Sequence, residues 1–176
     1  MIKYIALLRG INVGGHNVKM DRLKEIFTTL GFKNIKTVIA SGNVIFETLE
    51  TNPKVICKNI ESTLHKELGY EVPVLLRTSE EIKKLIAADP FKNIKITPET
   101  RLYVSFLSEP STSKIKSPHN IGDGAFMILS ISKTEVCSAL TLSKDKGTLD
   151  LMKILEKEFG KKITTRNWKT IIKLAN

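Results

Sequence analysis

Two short segments hold the residues best suited to chemistry. Arg9-Gly10-Ile11-Asn12-Val13-Gly14-Gly15-His16-Asn17 gathers a guanidinium, two amides and three glycines just ahead of a helix-periodic run. Ser41-Gly42-Asn43 adds a hydroxyl, a glycine and an amide. Glycine lets backbone N–H groups approach an anion closely, and a helix N-terminus carries about half a positive charge. Arginine adds a bidentate fork for phosphate or carboxylate. The combination reads as an anion site, with phosphate the best match, although the spacing is neither a Walker loop nor a dinucleotide fingerprint. The same residues also have a purely architectural reading. The glycines can serve turn geometry, Asn43 can take a left-handed hairpin position, and Arg9 can pair with an acidic neighbour.

The elements that must position these residues follow from periodicity. Residues 2–9 read as a strand, and Met20, Leu23, Ile26, Phe27 and Leu30 mark one face of a helix that Gly31 stops. Two β-rich runs, 35–40 and 44–48, are separated by Ser41-Gly42-Asn43, a short hairpin connection. Pro53 opens a second helix with Ile56, Ile60, Leu64 and Leu68 on one stripe, ending at Gly69. A strand over 72–77 leads into Thr78-Ser79-Glu80-Glu81, whose spacing is that of a capping box, and a third helix runs to Asp89-Pro90. The order is βαββαβ plus a helix, the order of the ferredoxin-like split βαβ motif. In that topology the first two strands run the same way, so the Arg9 loop and the Ser41-Gly42-Asn43 connection are expected to converge on one sheet edge.

The second half echoes the first. Lys66-Glu67-Leu68-Gly69 returns as Lys157-Glu158-Phe159-Gly160. Arg77 has Ile82, Lys84 and Leu85 downstream at the offsets where Arg166 has Ile171, Lys173 and Leu174. Strands are expected over 102–107, 126–131 and 136–142, while Glu109–Gly124 shows no helix where the first half has one. The fold expected is therefore α+β, a tandem duplication of ferredoxin-like βαββαβ units each followed by an extra helix. Its halves are 1–92 and 100–176, the second degenerate. Asn167 is a good N-cap for a last helix that Trp168 anchors. Arg166 reads either as a site residue or as a tie between strand and helix.

Composition narrows the classes. Of 176 residues, 28 are basic and 18 acidic, a net charge of +10 that invites a nucleic-acid reading. Yet 23 of the basic residues are lysine, and the charge divides almost evenly between the halves without a basic block. Too short an apolar run follows the N-terminus for a signal peptide, and no apolar stretch is long enough to span a membrane. Cys57 and Cys137 read as buried free thiols of a cytoplasmic protein. His16, His65 and His119 are scattered, so neither a metal nor a cofactor is expected. Ser41 and His16 form a conceivable pair, but no carboxylate presents itself to orient the imidazole. Tyr4 and Phe46 make only a weak case for base stacking on the sheet.

Residues 4–15 resemble the opening of an uncharacterised bacterial family, domain of unknown function 1697. Ser41-Gly42-Asn43-Val44, Asp89-Pro90-Phe91 and Thr165-Arg166-Asn167-Trp168 with Thr170 are similar to further parts of that family's pattern. Asp89 departs from it, standing where the family commonly has asparagine. The resemblance implies a cytoplasmic bacterial α+β protein with ferredoxin-like halves, and implies no activity.

Three functions compete. The first is a module binding a phosphate-bearing partner, nucleotide or nucleic acid, through Arg9, Gly10, Asn12, Gly14, Gly15, Ser41, Gly42, Asn43 and Arg166. The second is a small phosphohydrolase of acylphosphatase type, with Arg9 binding phosphate and Asn12 or Asn43 positioning water. The third is a protein-partner or structural module, dimeric through its sheets.

Overall fold

Side chains alternate across an extended strand, so Tyr4, Ala6 and Leu8 share one face of β1 (Ile2–Leu8). The computed structural model describes residues 1–39, 42–121, 124–142 and 150–175. The chain forms two compact units, Met1–Lys84 with the segment from Lys173, and Leu85–Ile172.

The first unit contains β1, α1 (Met20–Thr29), β2 (Lys33–Thr37), β3 (Asn43–Thr48), α2 (Pro53–Leu68) and β4 (Val74–Thr78), with α3 (Ser79–Ala87) following. Its antiparallel sheet has the order β2-β3-β1-β4. On one face Tyr4, Ala6, Leu8, Val44, Phe46 and Leu76 meet Leu23, Ile26 and Phe27 of α1 and Ile56, Ile60 and Leu64 of α2. Ile5, Leu7 and Ile45, on the opposite face, are also buried. That double burial explains why β1 reads as a continuous apolar run rather than strict alternation. Tyr4 and Phe46 stack 6.0 Å apart within the helix-covered core, so neither offers a platform for bases.

Local signals set the helix ends. Asn52 accepts from Lys54 N ahead of Pro53, and Gly69 closes α2 at φ 80°. Thr78 and Glu81 form a reciprocal capping box, Glu81 N donating to Thr78 Oγ1 and Thr78 N to Glu81 Oε2.

The connection between β2 and β3 differs from the sequence expectation. β2 stops at Thr37 and Asn43 already belongs to β3. Positive φ falls on Ile39 (56°) and Gly42 (72°), not on Asn43. The reason lies in Asn43, which is fully buried and engages both backbone groups of Val38. Val38 N donates to Asn43 O (2.9 Å), and Asn43 Nδ2 donates to Val38 O (3.0 Å). A side-chain amide thus completes one more ladder step after the strand has ended. Ser41 lies outside the described residues.

The second unit contains β5 (Thr100–Leu107), β6 (His119–Ile121), β7 (Phe126–Ile131), β8 (Glu135–Thr141), α4 (Leu151–Phe159), β9 (Ile163–Asn167) and α5 (Trp168–Leu174), the last running on past Ile172. Its sheet has the order β6-β7-β8-β5-β9. Leu107, Phe126, Ile128, Val136 and Ile163 pack with Leu155 of α4. The described part of the 109–124 stretch contains no helix, and instead supplies β6 as an added edge strand on β7.

Ser138 sits fully buried on β8, and among the described residues its hydroxyl has no hydrogen-bond partner. An unsatisfied buried hydroxyl costs about 1–3 kcal/mol. Ser138→Ala is therefore expected to stabilise the protein by about 1 kcal/mol, read as a higher denaturant midpoint at unchanged slope.

Candidate functional site

Strand direction delivers three chain segments to one end of the first sheet. β1 ends there, β3 begins there, and β4, antiparallel to β1, begins there too. Backbone bonds join them: Leu8 N donates to Gly42 O (2.8 Å) and Arg9 N to Pro73 O (2.9 Å). Arg9, half-buried, thus leaves the strand from a position held on both sides.

The chain beyond Arg9 folds into a loop closed on itself. Asn12 N donates to His16 O (2.8 Å), and Val18 N donates to Asn12 Oδ1 (2.7 Å). Asn12 adopts φ 57°, a left-handed conformation that asparagine tolerates better than most residues. Buried Ile11 and Val18 root the loop in the core. Gly10, Gly14 and Gly15 are exposed at positive φ, with open space where a Cβ would stand. His16 stacks on Tyr70 at 4.0 Å between ring centroids, tying the loop to the segment before β4. The sequence reading missed Tyr70. The same antiparallel logic could have found it, because any residue just ahead of β4 must arrive at this edge.

The loop runs directly into α1, whose N-cap Lys19 makes no side-chain cap hydrogen bond, and among the described residues no other side chain caps the first turn. Its exposed first-turn amides are therefore left to solvent or to an anion. Asp21 contributes negative charge in that turn. Arg22 is engaged by Glu25 (3.2 Å) and by Glu67.

The candidates consequently divide. Arg9, Gly10, Asn12, Gly14 and Gly15 form the loop. Gly42 and Asn43 lie buried beneath it, Asn43 committed to Val38 and Gly42 packed against Leu8 and Ile11. Arg166 belongs to the second unit, buried on β9 opposite Val104, with Nη1 donating to Thr165 O (3.0 Å). Burial lowers its pKa to about 10. Arg77 has the matching place on β4, opposite Ile5, with Nη1 donating to Leu76 O (2.8 Å).

The family's sequence profile, described as a protein of unknown function (DUF1697), matches residues 1–123, which include the whole loop and the β2–β3 connection. The chain belongs to the DUF1697 family. No curated protein matches it. The fold of this DUF1697 chain is similar to that of the conserved bacterial protein SP0830 from Streptococcus pneumoniae, with a TM-score of 0.75 at 22% identity. The likeness covers 99% of this chain and 97% of the other.

Among the described residues of this DUF1697 protein, no group of three or more His, Cys, Asp or Glu side chains could hold a metal ion. No helix there is long and apolar enough to cross a membrane. Both cysteines are free thiols, Cys137 buried and Cys57 half-buried. Burial, reinforced by Glu61, pushes the Cys57 thiol up to about 11, and burial raises Cys137 as well. Neither is a thiolate nucleophile near neutral pH.

Proposed function

We propose that this protein binds a phosphate-bearing ligand, a nucleotide or a nucleic acid, at the loop between β1 and α1. The observation that carries the reading is the uncapped N-terminus of α1, entered directly from a loop with Gly10, Gly14 and Gly15 exposed and open. Arg9, at the head of the loop, supplies the guanidinium. Gly42 and Asn43 support the loop from below. The net charge of +10 favours an anionic partner over a cationic one.

We read the architecture as a tandem duplication of ferredoxin-like units, with halves at 1–92 and 100–176. In support, β7-β8-β5-β9 repeats the order β2-β3-β1-β4. The bonds repeat as well: Leu107 N to Thr134 O and Ser108 N to Lys162 O stand where Leu8 N to Gly42 O and Arg9 N to Pro73 O stand in the first half. Arg77 and Arg166 share strand position and local bond, which favours a structural role for Arg166. A bacterial, cytoplasmic setting agrees with the two free thiols and with the bacterial origin of the similar structure.

Arg9→Ala tests the function. A thermal-shift panel compares it with wild type against phosphate, nucleotides, acyl phosphates and short RNA and DNA at about 50 and 200 mM salt. A ligand at about 100 times its Kd stabilises by about 2.7 kcal/mol. The expected result is a wild-type shift that Arg9→Ala loses while its unliganded transition stays close to wild type. A shift that collapses at the higher salt assigns nucleic acid, because several counterions are released together. Turnover of an acyl phosphate would favour the hydrolytic alternative, which now falls to Arg9 and Asn12 because Asn43 is buried. A flat panel with both proteins folded overturns the reading in favour of a protein partner.

A further inference from the structure

The second unit carries an apolar groove of about 750 Å³ that the reading above does not use. Ile96, Leu102, Trp168 and Ile172 are its principal apolar lining, with Arg101 and Lys169 as its charged members. Ile96 is 70% exposed and Ile172 42%, a concentration of bare isoleucine that folding alone does not reward. Trp168 is held by edge contact with Phe91, 4.9 Å between centroids, and still lines the groove.

Among the described residues no carboxylate lines this groove. Arg101 Nη1 donates to the carbonyls of Pro98 (2.6 Å) and Thr100 (3.0 Å), which anchors the guanidinium without neutralising it. Among the described residues neither Arg101 nor Lys169 has an acidic partner. Two cations without an acidic partner among the described residues, one of them prepositioned, thus stand beside a mostly apolar wall. The volume falls within the roughly 300–1,000 Å³ typical of pockets for single small molecules.

We infer that this groove binds a small organic acid with an aliphatic or aromatic body, its carboxylate held by Arg101 and Lys169. The charge complementarity selects an anion, and the apolar walls select against inorganic phosphate, which would leave them wet. The site is independent of the glycine loop.

Trp168 is the one tryptophan of the chain, so its emission reports on the groove directly. Decanoate and 3-phenylpropionate, titrated into the full-length protein, are expected to change that emission saturably. Decanol, with the same body and no charge, is expected to bind at least tenfold more weakly. Arg101→Gln should weaken decanoate at least tenfold and leave decanol unchanged, whereas Arg9→Ala should alter neither. Should Arg101→Gln fold poorly, Lys169→Gln and the decanoate–decanol contrast in wild type carry the same test. No saturable response to either acid, or equal affinity for decanoate and decanol, overturns the inference. A response to acidic apolar peptides alone would also overturn it, making the groove a peptide-docking surface.

Discussion

Asn43→Asp is expected to destabilise the protein by about 3–5 kcal/mol at neutral pH, the cost of a buried carboxylate standing where an amide donor serves Val38 O. Asn43 has no exposed surface, and its Nδ2 donates to Val38 O at 3.0 Å. An aspartate there presents a carboxylate oxygen to a carbonyl oxygen, in a place water does not reach. The pH dependence has a definite sign. Burial raises the folded-state pKa of the new carboxyl above the roughly 3.9 of the unfolded chain, so the folded protein binds the extra proton. The deficit is therefore smallest below about pH 4, where both states are protonated, and grows as pH rises toward the raised folded value. Denaturant titrations at pH 4 and pH 7 measure it. An equal deficit at both pH values would mean that lost geometry, rather than buried charge, is responsible. Asn43→Ala removes the donor without adding charge and is expected to cost less, about 1–3 kcal/mol.

This site marks where the sequence stops being legible. Elements with local signals were readable: Pro53 and Gly69 bracket α2 because each acts through its own backbone, and Thr78 with Glu81 announces α3 through a contact three residues long. The convergence of the Arg9 loop with the β2–β3 connection was readable as well, because strand direction alone requires it. The role of Asn43 was not. By type it is a turn residue, and only the three-dimensional pairing with Val38 makes it a substitute for a backbone N–H inside the sheet. β6 was hidden for a related reason. Three residues, His119-Asn120-Ile121, are too few for alternation to register, and their pairing with β7 is what makes them a strand. The likeness between the halves was readable where Lys66-Glu67-Leu68-Gly69 and Lys157-Glu158-Phe159-Gly160 carry the same local signals at the ends of α2 and α4. It faded over 109–124, where no helix lies among the described residues.

Gly42→Ala is expected to cost about 2–4 kcal/mol, and to separate a glycine required by packing from glycines required only by backbone conformation. Two penalties act at this position. Gly42 sits at φ 72°, where an L side chain costs about 1–2 kcal/mol. A Cβ there would also stand 3.1 Å from Leu8 Cβ, 3.2 Å from Ile11 Cβ and 3.3 Å from Leu8 O. None of these is the far end of a flexible side chain, so relief requires backbone movement, an overpacking cost of about 1–3 kcal/mol. Gly14, at φ 60° with nothing within 4 Å, carries the first penalty alone. Gly14→Ala is accordingly expected to cost only about 1 kcal/mol. The difference also bears on the proposed site. Leu8 and Ile11 flank Arg9, and Leu8 N donates to the Gly42 carbonyl. A displacement at Gly42 therefore shifts the seat from which Arg9 and the loop project. Gly42→Ala should weaken the anion-dependent thermal shift even at temperatures where the variant remains folded, whereas Gly14→Ala should reduce it only through the loop's own amides. Equal denaturant midpoints for the two variants would show that the chain yields at Gly42 without cost, and would remove the packing argument for the convergence of loop and connection.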